Sequence, residues 1–128
     1  MFDYTVSTEK SIEVAIKSVE DSLKDEKFGV LWMFDIKGKL QENGLDFQKE
    51  FKVLEVCNPH EAHRVLNENE MAGYFLPCKI VVFEDNSGQT KIGMPRPTAL
   101  ISMLNDDKMK DFAQDIEDRL VICINKSV

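Results

Sequence analysis

Apolar positions recur along the chain with two different periods, and the switches between them mark the elements. The stretch FDYTVS alternates and is rich in aromatic and β-branched residues, which predicts a strand. Ser11 then offers an N-cap side chain, with Glu13 in the first turn, where a carboxylate complements the helix dipole. Ile12, Ala15, Ile16, Val19 and Leu23 follow at three- and four-residue steps and form one apolar stripe, so a helix runs until the charged KDEK and Gly29. GVLWMFDI reads as a second strand, and IKGKLQENG as a short helix closed by Asn43–Gly44. FKVLEV, leading into Cys57, is a third strand, and Pro59 to about Asn67 supplies a few helical turns. CKIVVFED and QTKIGM are two more strands joined through the turn cluster DNSG, and MPRP stops the second because proline cannot donate to a ladder. The last stretch opens at Asp106 or Asp107, and Met109, Phe112, Ala113, Ile116, Leu120 and Ile124 make it an amphipathic helix of several turns.

The predicted order is therefore β-α-β-β-β-β-α with short helical insertions around the third strand. Hairpin strands bracketed by two long helices imply an α+β fold, an antiparallel sheet with both main helices packed on one face. The opposite face is left without a cover from this chain, and the aromatic-rich strands point to a partner subunit there. Trp32 and Phe34, two residues apart on the second strand, share a face and point to core or interface rather than a stacking site for a ligand.

Composition narrows the function classes. The 128 residues, 43% hydrophobic and 30% charged, are enough for one domain with a sizeable core, and no repeat or Pro/Gly/Ser-rich linker divides residues 1–128. The net charge of -7 carries no Lys/Arg block, so nucleic acid is not an expected partner. VLWMF and KIVVF are strand-length and too short to span a bilayer. MFDYTVSTEKS has no basic region followed by an apolar run, so a cytoplasmic protein with no membrane association is the expectation. Three cysteines in a reducing compartment do not form a structural disulfide framework.

Chemistry-bearing residues concentrate in CNPHEAH and the LPC that follows it. Asn58 is among the best N-cap residues, Pro59 suits the first helical position, and Glu61 stands three after Asn58, as in a capping box. On that reading His60 and Glu61 are exposed first-turn residues, Ala62, Val65 and Leu66 face the core, and Cys57 is a small apolar residue ending a strand. A second reading is a metal site. Cys57 and His60 have the spacing of a ligand pair, His63 is one turn on, and Cys78 could complete a four-ligand set for zinc, or for copper or iron. A third is redox, with Cys57 activated at a helix N-terminus and Cys78 as the resolving thiol, although there is no Cys-x-x-Cys. Cys123, in the terminal helix, reads as core. Phosphate-binding glycine loops and nucleophile elbows are absent, and the acidic residues lie on helix faces and in turns. Arg96, between two prolines on a stiff segment, reads as an exposed loop arginine before an anion-binding one.

The residues Asn58-Pro59, Leu76-Pro77 and Val81-Val82-Phe83-Glu84-Asp85 followed by Gly88, with the terminal helix, make the chain resemble domain-of-unknown-function family 302 over essentially its whole length. The resemblance implies an α+β fold of the kind likened to the TATA-box-binding protein, with the order β-α-β4-α, and small homodimers. It also implies that the two proline-containing pairs are shared more widely than the cysteines and histidines, so a Cys/His metal site would belong to a subset of members. It carries over no activity and no catalytic residue, and function resides in sites rather than folds. The expectation is a non-catalytic protein, homodimeric, that binds a small molecule or partner. Its ligand site is expected at Asn58, Pro59, Leu76 and Pro77, where helix amides and prolines form a rigid pocket.

Overall fold

A computed structural model describes residues 1–128. Strands β1 (Asp3–Thr8), β2 (Gly29–Asp35), β3 (Phe51–Cys57), β4 (Cys78–Glu84) and β5 (Thr90–Pro95) form one sheet in the order β1-β5-β4-β3-β2. Every pairing is antiparallel. Helix α1 (Ile12–Asp25) links β1 to β2, and α2 (Ile36–Glu42) and α3 (Pro59–Glu68) flank β3. A short α4 (Pro97–Ile101) leaves β5, and α5 (Asp107–Lys126) ends the chain. The predicted strand and long-helix order is the observed one. The proline-rich MPRP, expected only to end a strand, goes on to start α4, because Pro97 takes a first-turn position that needs no N–H donor.

The caps act as the sequence indicates. The Ser11 side chain accepts from the Val14 amide, and Asp106 accepts from the Met109 amide. The apolar stripes of α1 (Ile12, Ala15, Val19, Leu23) and α5 (Met109, Ala113, Ile116, Leu120, Ile124) are buried. They meet Leu54, Val56, Ile80, Val82 and Ile92, which alternate onto one face of the central strands. Cys123 is fully buried among them.

The other sheet face carries a line of aromatics. Register places Phe51 opposite Phe83 and Phe34 opposite Val53, with Trp32 and Phe34 stacked at 5.4 Å and Phe51 and Phe83 at 4.8 Å. A bulge decides this arrangement. Val30 pairs with Val56, but Trp32 pairs with Glu55, so Leu31 is an extra residue in β2. Simple alternation would put Trp32 on the same face as Val30; the inserted residue turns Trp32 and Phe34 to the open face instead.

Two local expectations are corrected. Leu66 is 42% exposed rather than in the core, because α3 meets the sheet layer mainly along its Val65 side. Arg96 is not a free loop arginine. Its guanidinium pairs with the buried Glu117 at 3.1 Å, donates to the Asp3 carbonyl and lies 5.3 Å from the Tyr4 ring centroid.

Candidate ligand site at the start of β4

The site begins with a ladder that stops early. Strands β3 and β4 pair down to Val56–Cys78, whereas β4 and β5 pair only from Glu84–Thr90 to Val81–Gly93. Continuing the same register would set Lys79 against Pro95, which has no N–H to give. The strands part there and an apolar cavity opens, closed from above by α4 and α5. It holds about 640 Å³ of space counting its mouth, and twelve of its sixteen lining residues are hydrophobic. Leu76 and Pro77 approach from the segment leading into β4, Met94 from β5, Leu100 from α4, and Ala113 and Ile116 from α5. Lys79 is the one charged residue in the lining.

A smaller cavity of about 270 Å³ adjoins it beneath the start of α3. The two share Val65, Leu76, Cys78 and Ile116, so this group is the partition between them.

The residues singled out from the sequence are divided among these spaces. Leu76 and Cys78 line both cavities, Pro77 only the larger, and Cys57 and Asn58 only the smaller. Pro59 is exposed and lines neither, so of the four expected ligand-binding residues it stands apart. Asn58 is buried and occupied as a cap. Its Oδ1 accepts from the amides of His60 and Glu61 at 3.0 and 3.3 Å, and its Nδ2 donates to the Glu26 carbonyl at 3.4 Å. Those amides are therefore satisfied within the protein and are not free to receive an anion. The capping box is only half made. Glu61 turns away from Asn58 to pair with Arg64 and, at 3.4 Å, with Arg119.

His60 is exposed, and His63 is exposed with its Nε2 3.2 Å from Asn67 Nδ2. No three or more His, Cys, Asp or Glu side chains are grouped to hold a metal ion, so Cys57, His60, His63 and Cys78 do not converge as a ready ligand set. All three cysteines are free thiols. Cys78 stands opposite Val56, one register step from Cys57, so the two are neighbours without being a facing cross-strand pair. Burial, with a smaller push from Cys57, raises the Cys78 thiol to about 11. At neutral pH only about one Cys78 in ten thousand is then thiolate, which makes it packing rather than a nucleophile.

The residues that sequence reasoning missed are Met94, Pro97, Leu100, Ile101 and Met109, which close the larger cavity. Pro95 and Pro97 were the available signal, since prolines at a strand end leave the neighbouring strand unpaired. The position of α4 rests on Glu117. This carboxylate is only 4% exposed and accepts from the Thr98 amide at 3.0 Å, the Thr98 hydroxyl at 2.6 Å and Arg96 at 3.1 Å.

The family model described as Domain of unknown function DUF302 matches residues 4–127. The chain belongs to the DUF302 family. The chain is also similar to a solved structure, the crystal structure of an uncharacterized conserved DUF302 protein from Bacillus stearothermophilus. That protein is 55% identical; the match covers 100% of this chain and 99% of that one, with a TM-score of 0.97. The DUF302 likeness thus extends over the cavity as well as the sheet, and it names no ligand or reaction. No curated protein matches this chain. No helix of this DUF302 chain is long and apolar enough to cross a membrane.

Proposed function

We propose that the protein binds a neutral, predominantly apolar small molecule in the cavity between β4, β5, α4 and α5, and does no chemistry on it. The observation that carries this reading is the lining of the cavity, hydrophobic at twelve of sixteen positions with Lys79 its one charged residue. A charged ligand would lose its hydration there and find little in return. A ring or short acyl chain loses nothing polar. Met94 and Met109, flexible and polarisable, let the walls adapt to more than one such shape.

The test is titration with a neutral apolar fluorophore such as N-phenyl-1-naphthylamine, set beside Leu100→Trp and Ala113→Leu variants that fill the cavity. Saturable binding that falls at least about tenfold in both variants, equivalent to about 1.4 kcal/mol, is expected. Binding that is absent in the parent protein, or indifferent to both substitutions, would refute the reading.

A second copy of the chain is the partner we propose, and the apolar surface left uncovered on β2 supports it: Leu31, Trp32 and Met33 are all exposed. We also propose that the protein works in the cytoplasm, where its free thiols stay reduced. Fractionation of the native cells checks that location.

A further inference from the structure

We infer that the ligand of the larger cavity carries one neutral hydrogen-bond donor, of the phenol or alcohol kind, on an otherwise apolar body, and that the main-chain carbonyl of Lys79 receives it. This rests on the small-molecule reading above and names the class of molecule.

The carbonyl is found by following the ladder. Main-chain groups of a strand turn alternately to its two neighbours. In β4 the Glu84 N–H donates to the Glu50 carbonyl at 2.9 Å, on the β3 side, and the next residue, Asp85, donates to Gln89 at 3.0 Å, on the β5 side. The register of β4 runs from Phe83 to Cys78 against β3 with no bulge. Phe83, Val81 and Lys79 therefore turn their N–H and C=O groups to β5. Phe83 meets Lys91 and Val81 meets Gly93, and the next step falls to Pro95, whose nitrogen carries no hydrogen. Neighbouring donors of β5 are turned to the other side: Met94 pairs with Tyr4, and the Arg96 N–H donates to the Phe2 carbonyl at 2.8 Å. No side chain donates to the Lys79 carbonyl either. It is an acceptor without a donor from this chain.

Lys79 lines the larger cavity with this main chain rather than with its ammonium group. It pairs with Glu55, which shares the open sheet face with Trp32, so its side chain leaves on the face away from α4 and α5. The polar group it gives to an apolar lining is one that accepts and cannot donate.

That asymmetry selects among ligands. A molecule covering the carbonyl takes it out of reach of solvent, and one without O–H or N–H leaves the oxygen bare. An ether, a ketone or an ionised carboxylate fails in the same way, since each only accepts. A hydroxyl satisfies the oxygen while the rest of the molecule lies against Met94, Leu100, Met109 and Ala113.

Displacement of N-phenyl-1-naphthylamine by p-cresol and by p-xylene tests the inference, because these two rings differ only in OH for CH3. p-Cresol is neutral at pH 7, a phenol ionising near about 10. Hydrophobicity alone favours p-xylene. p-Cresol should instead bind about tenfold more tightly, and 4-methylanisole, whose oxygen only accepts, should be as weak as p-xylene. Pro95→Ala restores an N–H at the position facing Lys79, so the preference for p-cresol should shrink toward none. The Lys79 carbonyl carbon, followed by NMR in the parent protein, should move downfield with p-cresol and not with p-xylene, and this signal decides should Pro95→Ala fail to fold. Equal displacement by p-cresol and p-xylene, or displacement by neither while the fluorophore binds, overturns the donor requirement and leaves the apolar cavity standing. A preference for p-cresol with an unmoved Lys79 carbonyl overturns the assignment to that group. Absence of saturable fluorophore binding to the parent protein overturns both readings.

Discussion

Replacing Glu117 by Gln should cost about 2 kcal/mol and loosen the larger cavity without touching its lining. The carboxylate accepts two hydrogen bonds from Thr98 and one from Arg96, and its side chain is almost wholly buried. Glutamine keeps an oxygen for Thr98 but turns an NH2 toward the guanidinium, so a charged hydrogen bond becomes two donors facing each other. Such a bond contributes roughly 1.5–3 kcal/mol, and because the Arg96 side chain is 26% exposed and can regain water, the lower part of that range applies. At about 2.1 cal/mol/K per residue, the unfolding entropy of 128 residues is about 0.27 kcal/mol/K, and the midpoint falls by about 7 °C. The loss depends on pH in a defined direction. Burial alone would raise the Glu117 carboxyl, but the Thr98 hydroxyl and amide and the Arg96 charge outweigh it and hold the group below its ordinary value of 4.5. A carboxyl depressed in the folded state adds stability that is present above the unfolded value and disappears as pH falls through the folded one. Calorimetry should therefore show a gap between parent and Glu117→Gln that is full at pH 7 and shrinks below pH 4.5. Because Thr98 belongs to α4, apolar-probe affinity should fall as well. A midpoint shift under about 2 °C, or a gap unchanged in acid, would refute the idea that Glu117 holds α4 in place.

Three further substitutions or treatments probe other parts of the argument. Asn58→Ala removes the cap of α3 and should lower stability by about 1 kcal/mol in urea unfolding with an unchanged slope, and a neutral result would contradict the cap. Gly93→Ala would bring a Cβ to 2.6 Å from Thr5 Oγ1, so it should destabilise by about 1–3 kcal/mol, and clearly less in a Thr5→Gly background; equal costs in both backgrounds would rule out the clash. Cys78 and Cys123, each raised to about 11 by burial first of all, should alkylate slowly at neutral pH and faster as pH rises toward that value. A saturating apolar ligand should slow Cys78 further, whereas rapid labelling of both at pH 7 would show that burial does not suppress them.

Local physics was readable from the chain alone. The caps at Ser11 and Asp106, the apolar stripes of α1 and α5, the alternating strands and the stop at Pro95 depend on neighbours within a few residues, and each is found where the pattern predicts. Asn58 could be read as a helix start for the same reason. The larger cavity could not be read this way. It opens where the β4–β5 ladder stops at Val81–Gly93, short of Lys79 and Pro95, and Glu117, far along α5, reaches Thr98 in α4 above it. Pairing across the sheet also separated what sequence proximity had grouped. CNPHEAH places four chemically active residue types in one run, yet the fold leaves His60 and His63 in solvent, engages Asn58 as a cap, and sets Cys57 and Cys78 one register step apart. A single inserted residue, Leu31, reverses which faces Trp32 and Met33 occupy, because side chains alternate at every step along a strand. Helices and strands answer to local periodicity, whereas cavities, faces and edges depend on register between distant segments, which only the tertiary structure decides.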